Sequence, residues 1–487
     1  MGLTDRNSGA RLPETAPWRE TEAANMFELD SNRQDAIKAI EELIEGKRYA
    51  ELRDRLSPLE AADIASICGD LPEERIPLVF RLLPKELAAE VFVELDSDQQ
   101  ELLIRGFSNT ELKEVLDELY LDDTVDIVEE MPAGVVKRIL QHSDPEMRKS
   151  INEILKYPED SAGSIMTTEF VDLIATMTVE DALKRIRRTG PDKETINVCY
   201  VIDEGRHLLG MLTIRTILLA EEDDVIGDIM ERNFISVQTM DDQEAVARAL
   251  SRYDFLALPV VDKENRLVGI VTVDDAIDVL QEETTEDIEK MAAILPSDKP
   301  YLKTGVFETF RSRIPWLLLL MVSATFTGQI IAGFEDALAA VTVLTAYIPM
   351  LMDTGGNCGS QSSVSVIRGI SLNEIEFSDI GKVIWKEIRV AMICGAALAV
   401  CNFAKLMLID RLLFGNLSVT PLVSAVICLT MVCTVFCAKL VGCTLPMLAK
   451  RIGFDPAVMA SPFITTIVDA ISLFIYFRIA TVLLHVG

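Results

Sequence analysis

Five apolar runs in the C-terminal part of the chain restrict its fold more than any other feature. A helix needs about 20 apolar residues to cross a bilayer, and each run is long enough. The runs are Ile314–Phe334, Ala337–Ile367, Val390–Ile409, Pro421–Ala449 and Met459–Leu484. We therefore predict an all-α membrane domain of five transmembrane helices over 313–487, with the lipid bilayer as a partner.

The Lys and Arg residues around these runs predict which way the helices cross the membrane. Arg311 and Arg313 precede the first run, and Lys450 and Arg451 separate the fourth run from the fifth. Basic residues collect on the cytosolic side of a membrane. We therefore expect a multi-pass protein of the cell (inner) membrane, with its N-terminus in the cytosol and its C-terminus outside.

Charge is distributed unevenly along the chain. The whole chain has 77 acidic and 46 basic residues, a net charge of −31. Residues from Tyr301 onward account for 11 of the acids and 13 of the bases, so residues 1–300 contain 66 acids and 33 bases. A surface that binds nucleic acid is basic, whereas an acidic surface attracts cations. The acidic half therefore argues against a nucleic-acid partner and favours a cation.

An internal repeat precedes the membrane domain. The stretches Ala162–Ile186 and Val225–Leu250 resemble each other, and an Ile-Met pair occupies the same place in both. A β-type run with a central turn follows each copy, which predicts helix, strand, turn, strand and helix in that order. The pattern is similar to a tandem pair of CBS domains, α+β in fold, over 161–287.

The remaining cytosolic segments carry different patterns. Over 31–160, helix-start signals recur every 10 to 14 residues, which predicts an α-helical N-terminal superhelical domain. Residues 1–30 are polar and predict a disordered tail, and the mixed segment 288–312 predicts a connecting (plug) helix. The chain has three His and shows no Gly-rich phosphate loop or Ser/His/Asp set, so we do not expect an enzyme.

Asp469 is the ionisable residue that the last apolar run places near its centre. A carboxylate in the middle of a bilayer costs about 2.5–3.5 kcal/mol on insertion scales, so it should face a polar interior. Thr465, Thr466, Ser472 and Tyr476 recur at helical spacing around it. We therefore predict a polar stripe on this helix and a role for Asp469 in an ion pathway.

The second apolar run contains a glycine motif with two open interpretations. Gly355, Gly356 and Gly359 permit close helix packing, or they let backbone carbonyls turn toward an ion. Asn357 and Gln361 add side-chain dipoles on successive turns. Oxygen ligands without His or Cys suit Mg²⁺ or Ca²⁺ better than soft metals.

With these parts in order, the chain resembles the MgtE family of magnesium channels over essentially its whole length. The resemblance is carried by KYPEDSAGSIMT (156–167), VDDAIDVLQEETTEDIEK (273–290), PMLMDTGGNCGSQ (349–361) and TTIVDA (465–470). It implies a homodimer that moves Mg²⁺ into the cytosol, and it favours the pore-lining interpretation of the glycine motif. The implied pore residues are Asp469, Gly355, Gly356, Asn357, Gly359 and Gln361.

The resemblance also implies regulation by cytosolic Mg²⁺, which would bind between the N-terminal and CBS domains and close the pore. A single acid is more often part of a solvated helix face, but a half-chain with an excess of 33 acids repels itself, and divalent cations would relieve that repulsion. The acids predicted to bind regulatory Mg²⁺ are Glu90, Asp122, Asp126, Asp242, Glu244, Asp254, Asp275, Asp278, Glu286, Asp287 and Asp455.

A nucleotide is a second candidate cofactor. CBS pairs often bind adenosine nucleotides, and Thr272 and Asp275 resemble their Thr-x-x-Asp ribose contact. These two residues are therefore the predicted ATP contacts, although Asp275 cannot easily bind a ribose and a cation together.

Two alternatives to a Mg²⁺ channel stay open from the sequence. In a proton-coupled secondary transporter of divalent cations, Asp469 would carry a proton. In a CBS nucleotide-sensing membrane protein, Asp469 would have no role in transport. The sequence leaves open the role of Asp353, the effect of ATP on gating, and the selectivity among Mg²⁺, Mn²⁺, Co²⁺ and Ca²⁺.

Overall fold

A computed structural model describes residues 37–297, 301–302, 304–459 and 461–485. The predicted disordered tail at 1–30 lies outside the described residues. The chain divides into two compact units, one that ends at Val279 and one that begins at Leu280.

Short helices form the N-terminal part of the first unit, because capping residues recur along it. Asp96 and Asp144 each accept a backbone N–H at a helix start, and Ser108 forms a reciprocal capping box with Glu111. The apolar face of each helix is buried against its neighbours. The described helices are α1 (37–45), α2 (Tyr49–Leu56), α3 (Ala61–Asp70), α4 (Ile76–Phe80), α5 (Lys85–Val93), α6 (Ser97–Gly106), α7 (Asn109–Leu116), α8 (Leu121–Glu130), α9 (Ala133–His142) and α10 (Pro145–Ile154).

Two three-stranded sheets with the same topology follow, as the internal repeat predicts. In each sheet the first strand is parallel to the second and the second is antiparallel to the third. The strands are β1 (Val171–Ile174), β2 (Val198–Ile202), β3 (Leu208–Thr213), β4 (Val237–Gln238), β5 (Ala257–Val261) and β6 (Leu267–Thr272). The helices between and after them are α11 (Val179–Thr189), α12 (Ile214–Leu219), α13 (Ile226–Ile229), α14 (Gln243–Tyr253) and α15 (Val273–Met291).

The two sheet modules are packed into one body. Thr167 at the start of the first module pairs with Ile270 of β6, and Glu231 at the start of the second pairs with Met211 of β3. Tyr200 is fully buried in the apolar cluster that β2 and β3 share with β5 and β6. The modules therefore exchange their first segments and share a core.

Long helices make up most of the second unit. They are α16 (Val306–Gly333), α17 (Glu335–Ala340), α18 (Ile348–Ser371), α19 (Ile380–Lys405, extended by π-helical turns over Leu406–Leu413), α20 (Pro421–Arg451) and α21 (Ser461–Leu484). The segments Val306–Gly333, Phe377–Leu413, Pro421–Arg451 and Pro456–Leu484 are long and apolar enough to cross a membrane. α18 is as long as α21, with 24 residues, but its Gly, Ser, Asn and Gln lower its hydropathy. The predicted multi-domain fold class is confirmed.

Two predicted helix boundaries differ from the structure. The second apolar run, predicted as continuous from Ala337, is broken into α17, a 3₁₀ turn and α18, whose start has Pro349 in its first turn. The connecting helix was predicted over 288–312. In the structure α15 begins at Val273 and ends at Met291, where Ala293 has a positive φ of 55° and Ile294 N–H donates to Glu289 O. This is a left-handed C-terminal cap, and a proline follows it.

Candidate ion pathway and cation site

The glycines of α18 are buried against α20 and α21. A Cβ added to Gly355 would lie 2.7 Å from Thr434 Cγ2 and 2.9 Å from Ser472 Oγ, and one added to Gly356 would lie 2.8 Å from Thr465 Cγ2. Real Cβ atoms do not approach other atoms that closely, so only glycine fits at these two positions.

At Gly359 and Gly442 the backbones of α18 and α20 approach each other closely. A Cβ on Gly442 would collide with the carbonyl oxygen of Gly359, and one on Gly359 would lie 2.8 Å from Ile464 Cγ2. Small residues at facing positions permit this kind of backbone contact between membrane helices. In the part of the chain that the structure describes, the three glycines thus permit close helix packing, and their pore-lining role stays a prediction.

The opposite side of α18 carries an exposed polar face. Asp353, Asn357, Gln361, Ser365 and Arg368 are all exposed, and their spacing of three or four residues places them on one side of the helix. We call these five residues the polar face. A polar surface along a membrane helix needs water, an ion or another protein surface to cover it.

Asp469 lies on α21, where Asp353 acts on it electrostatically. Its side chain is half-buried, and its Oδ1 atom is buried without a hydrogen-bond partner among the described residues. A carboxylate oxygen in this position can accept a hydrogen bond from water or bind a cation. The structure thus brings Asp469 close to Asp353, the residue whose role the sequence left open.

The polar stripe predicted around Asp469 is not a continuous surface. Ser472 and Tyr476 are buried in the bundle, where Ser472 Oγ donates to Val468 O at 2.6 Å and Tyr476 OH donates to Leu344 O at 3.0 Å. Their polar groups are therefore satisfied by backbone carbonyls inside the protein. Helical spacing places residues on one face but does not reveal which neighbour covers that face.

In the first unit, three carboxylates from separate parts of the chain lie together. Asp122 lies in the first turn of α8, Glu194 follows α11, and Asp275 lies in the first turn of α15; one oxygen from each lies within 4.8 Å of the others. We call these residues the carboxylate triad. Three oxygen ligands at this spacing suit a hard divalent cation such as Mg²⁺ or Ca²⁺.

Burial and mutual repulsion raise the pKa values of the triad carboxylates. Burial and the neighbouring Glu194 and Asp275 raise the pKa of Asp122. Burial also raises the pKa of Glu194 to about 7 and that of Asp275 to about 6. The adjacent Asp123 has its pKa raised to about 7, first by burial and then by Asp275. Crowded acids of this kind take up either protons or a cation.

Asp122 and Asp275 were among the predicted regulatory ligands, whereas Glu194 was missed. Glu194 lies in an irregular segment between α11 and β2, and no acidic repeat or motif surrounds it. Only the packing of α8 against the first CBS module reveals that it shares a site with Asp122. The sequence contains no signal that would have identified it.

The other predicted ligands of the first unit are not gathered at the triad. Glu90, Asp126 and Asp278 are exposed on α5, α8 and α15. The three predicted acids around α14 have structural contacts. Asp242 Oδ1 accepts N–H bonds from Glu244 at 3.0 Å and from Ala245 at 3.2 Å, Glu244 forms an ion pair with Arg248, and Asp254 is the left-handed C-cap of the helix, with φ 54°.

In the second unit, three predicted acids surround a lysine. Lys290 Nζ lies 2.6 Å from Glu286 Oε1 and 2.8 Å from Asp455 Oδ2. Asp287 accepts a hydrogen bond from Ser371 Oγ at 3.4 Å, and burial followed by the charge of Asp455 raises its pKa. We call Glu286, Asp287 and Asp455 with Lys290 the lysine-centred cluster. Sequence reasoning identified its acids but missed Lys290.

The predicted nucleotide contacts touch each other. Thr272 Oγ1 donates to Asp275 Oδ2 at 2.5 Å, and Thr272 is buried at the end of β6. Asp275 is therefore shared between the Thr-x-x-Asp pair and the carboxylate triad.

Comparisons with known proteins agree with this arrangement of domains. Residues 348–479 match the MgtE family of divalent cation transporters, residues 59–160 match the MgtE intracellular N domain, and residues 162–223 and 226–282 match the CBS domain. A crystal structure of the cytosolic domain of the Mg²⁺ channel MgtE in complex with ATP has 38% sequence identity and a TM-score of 0.48. It covers 50% of this chain and 99% of that chain.

Full-length relatives cover nearly the whole chain. The magnesium transporter MgtE of Thermus thermophilus is 38% identical over 454 residues, which is 92% of this chain and 98% of that protein. The magnesium transporter MgtE of Bacillus subtilis is 33% identical over 444 residues, which is 91% of this chain and 96% of that protein. With its intracellular N domain, two CBS domains and helical membrane region, this chain belongs to the MgtE family of magnesium transporters.

Proposed function

We propose that this protein is a channel that moves Mg²⁺ into the cytosol past Asp469 and the polar face of α18, and that cytosolic Mg²⁺ closes it. The observation that carries the proposal is the polar face, which lies on a helix packed between two apolar membrane segments. The described part of a single chain leaves this face exposed. Its amide oxygens and carboxylate are hard ligands of the kind that Mg²⁺ accepts while it retains water.

A homodimer would complete such a pathway. One Asp469 carries one negative charge, which is half of what neutralises a divalent ion. A two-fold axis beside α18 and α21 would bring two copies of Asp469 and two polar faces together, and two-fold symmetry is the commonest arrangement of homo-oligomers. The exposed polar face of α18, which a second copy would cover, supports this placement.

Mg²⁺ flux into proteoliposomes tests the pathway. We expect Asp469→Asn to lower the flux at least tenfold, because a neutral amide attracts a divalent ion much less than a carboxylate. Asp379→Asn is the matched control, since Asp379 lies before α19 in an exposed pair with Lys382. Equal flux in wild type and Asp469→Asn would refute the proposal, and flux that requires a pH gradient would favour a proton-coupled transporter.

The carboxylate triad supports the regulatory half of the proposal. Asp122 belongs to the N-terminal helical domain, Glu194 to the first CBS module and Asp275 to the second. A divalent cation between them would offset the repulsion of three acids and hold the domains together. Without a cation the same repulsion drives the domains apart.

Protection from protease tests the regulatory half on the full-length protein. Millimolar Mg²⁺ should slow cleavage between the N-terminal and CBS domains in wild type but not in Glu194→Gln. The exposed acid Glu264, changed to Gln, is the matched control. Absence of Mg²⁺ protection in wild type would contradict this half.

For ATP, Thr272 and Asp275 are the proposed ribose contact. Because Asp275 also belongs to the carboxylate triad, we expect a nucleotide and a triad cation to bind in a linked way. Adenosine binding to the full-length protein, measured with and without Mg²⁺, should then give different affinities, and equal affinities would contradict the linkage. Adenosine is the suitable probe because it carries the ribose without the phosphates that bind Mg²⁺ in solution.

A further inference from the structure

A buried ion pair joins three helices of the membrane region. Lys439 of α20 is only 5% exposed, and its Nζ lies 3.4 Å from Glu387 Oε2 of α19 and 3.1 Å from Ser362 Oγ of α18. Ser362 Oγ donates to the same Glu387 oxygen at 2.7 Å. Each charge and the hydroxyl thus contact the other two groups.

Such a pair needs an explanation other than stability. Replacing a buried ion pair with apolar residues of similar size is often neutral or stabilising, since the desolvation of both charges offsets their attraction. Charged residues inside membrane segments are costly and commonly functional.

The location of the pair suggests what it does. Ser362 directly follows Gln361 of the polar face, and Lys439 lies one turn before Gly442, where α20 touches the backbone of Gly359. Consecutive residues of a helix point about 100° apart, so the pair contacts α18 through its buried side, at the level of Gln361. Along the helix, Ser362 lies nine residues from Asp353, or about 13.5 Å at 1.5 Å per residue.

We propose that Lys439 and Glu387 are positioning residues of the ion pathway: through Ser362 they fix the orientation of the polar face, and their balanced charges keep a net positive charge away from the passing cation. This inference rests on the proposed function. Neither residue is expected to bind the ion, because both lie inside the bundle against the buried side of α18 and not on the polar face.

Charge balance predicts opposite effects for the two single variants. Glu387→Gln leaves the Lys439 ammonium uncompensated, which repels a divalent cation, so the apparent KM for Mg²⁺ should rise by roughly three- to tenfold. Lys439→Met leaves the Glu387 carboxylate uncompensated, so the KM should fall by a similar factor. The double variant Glu387→Gln/Lys439→Met restores the balance and should return the KM to within about twofold of wild type.

Ser362→Ala separates positioning from charge. It keeps both charges but removes the hydroxyl that links them to α18. We expect a maximal flux lowered by roughly three- to tenfold with an apparent KM within about twofold of wild type, as for the loss of one positioning contact. The double variant should show the same pattern, because it also loses the link to α18.

The experiment is Mg²⁺ flux into proteoliposomes for wild type, Asp469→Asn and these four variants of full-length protein, normalised to the folded fraction from size exclusion. KM shifts in the same direction for both single variants, or no shift in either, would overturn the inference. If the single variants do not fold, Ser362→Ala and the double variant decide. Wild-type flux and KM in both would overturn the inference, whereas lowered flux at unchanged KM supports it.

The same assay separates this inference from the function on which it rests. If wild type shows no Mg²⁺ flux, or Asp469→Asn matches it, the proposed function fails and the inference fails with it. If wild type conducts and Asp469→Asn does not, but the Glu387 and Lys439 variants deviate from the pattern above, only the inference fails.

Discussion

The carboxylate triad and the lysine-centred cluster are both groups of acids, but they differ in how their charge is balanced. The lysine-centred cluster contains its own cation, since Lys290 contacts two of its acids. For the triad, no ion pair with Lys or Arg is found within the part of the chain that the structure describes. One lysine offsets part of the charge of the first cluster, whereas no basic side chain of the described residues offsets that of the triad, which favours the triad as the site of a cation from solution.

The largest effect is expected when the positive charge of the lysine-centred cluster, the Lys290 ammonium, is removed. Lys290→Met should destabilise the protein by about 2–3 kcal/mol, because two charged hydrogen bonds are lost and the acids repel each other. The variant should also acquire a Mg²⁺-dependent increase in thermal stability beyond that of wild type. Thermal unfolding with EDTA and with millimolar Mg²⁺ measures both effects.

Lys382→Met is the control for that measurement. Lys382 forms an ion pair of similar length with Asp379, but its side chain is 85% exposed. Exposed pairs contribute about 0–1 kcal/mol, so this variant should differ little from wild type. Equal destabilisation by the two lysine variants would contradict the assignment of Lys290 as an internal cation.

Glu194→Gln tests whether the triad binds Mg²⁺. With one carboxylate fewer, we expect the Mg²⁺ concentration for half-maximal stabilisation to rise about tenfold, which corresponds to about 1.4 kcal/mol. Mg²⁺ titrations monitored by thermal unfolding measure it, with Glu264→Gln as the control. An unchanged midpoint would show that the triad does not bind the ion.

Proton uptake gives a third comparison, made in EDTA. The pKa values of Glu194, at about 7, and of Asp275, at about 6, are raised in the folded protein. Between the ordinary carboxyl range and pH 7 the folded state therefore binds more protons than the unfolded state. Stability should fall as the pH rises from about 5 to about 8, and Mg²⁺ should restore more stability at pH 8 than at pH 5. A stability that rises over this range in wild type but not in Glu194→Gln would contradict the assignment.

The smallest expected effect concerns Asp242, a predicted Mg²⁺ ligand that the structure places at the N-cap of α14. Asp242→Ala should cost about 1 kcal/mol, whereas Asp242→Asn should be nearly neutral because Asn caps a helix as well as Asp does. Both variants should keep the wild-type Mg²⁺ midpoint. A shifted midpoint in Asp242→Asn would make Asp242 a ligand as well as a cap.

The domain arrangement could be read from local patterns. Apolar length predicted the membrane helices, the repeat predicted two modules of equal topology, and the family resemblance placed Asp122 and Asp275 among the acids expected to bind Mg²⁺. The break before α18 was missed because residues 337–352 contain no charge and no glycine. Pro349, which lies at the start of α18, was the one available signal.

Other features depended on which neighbouring helix or backbone group contacts a given helix face. The spacing of Ser472 and Tyr476 placed them with Asp469, but backbone carbonyls inside the bundle satisfy them. That the glycine motif packs closely was visible only once its neighbours on α20 and α21 were known. Lys439 was a single charge in an apolar run until Glu387 and Ser362 were found beside it.

By itself, the sequence determined the order of domains, the apolar helices and the excess of acid in the cytosolic half, because each depends on composition or periodicity within one segment. Only the tertiary structure decided that Glu194 joins Asp122 and Asp275, and that α18 buries its glycines and exposes its polar face. Local periodicity defines which residues share a face. Which segment covers that face depends on contacts between residues far apart in the chain, and those contacts form only when the helices pack.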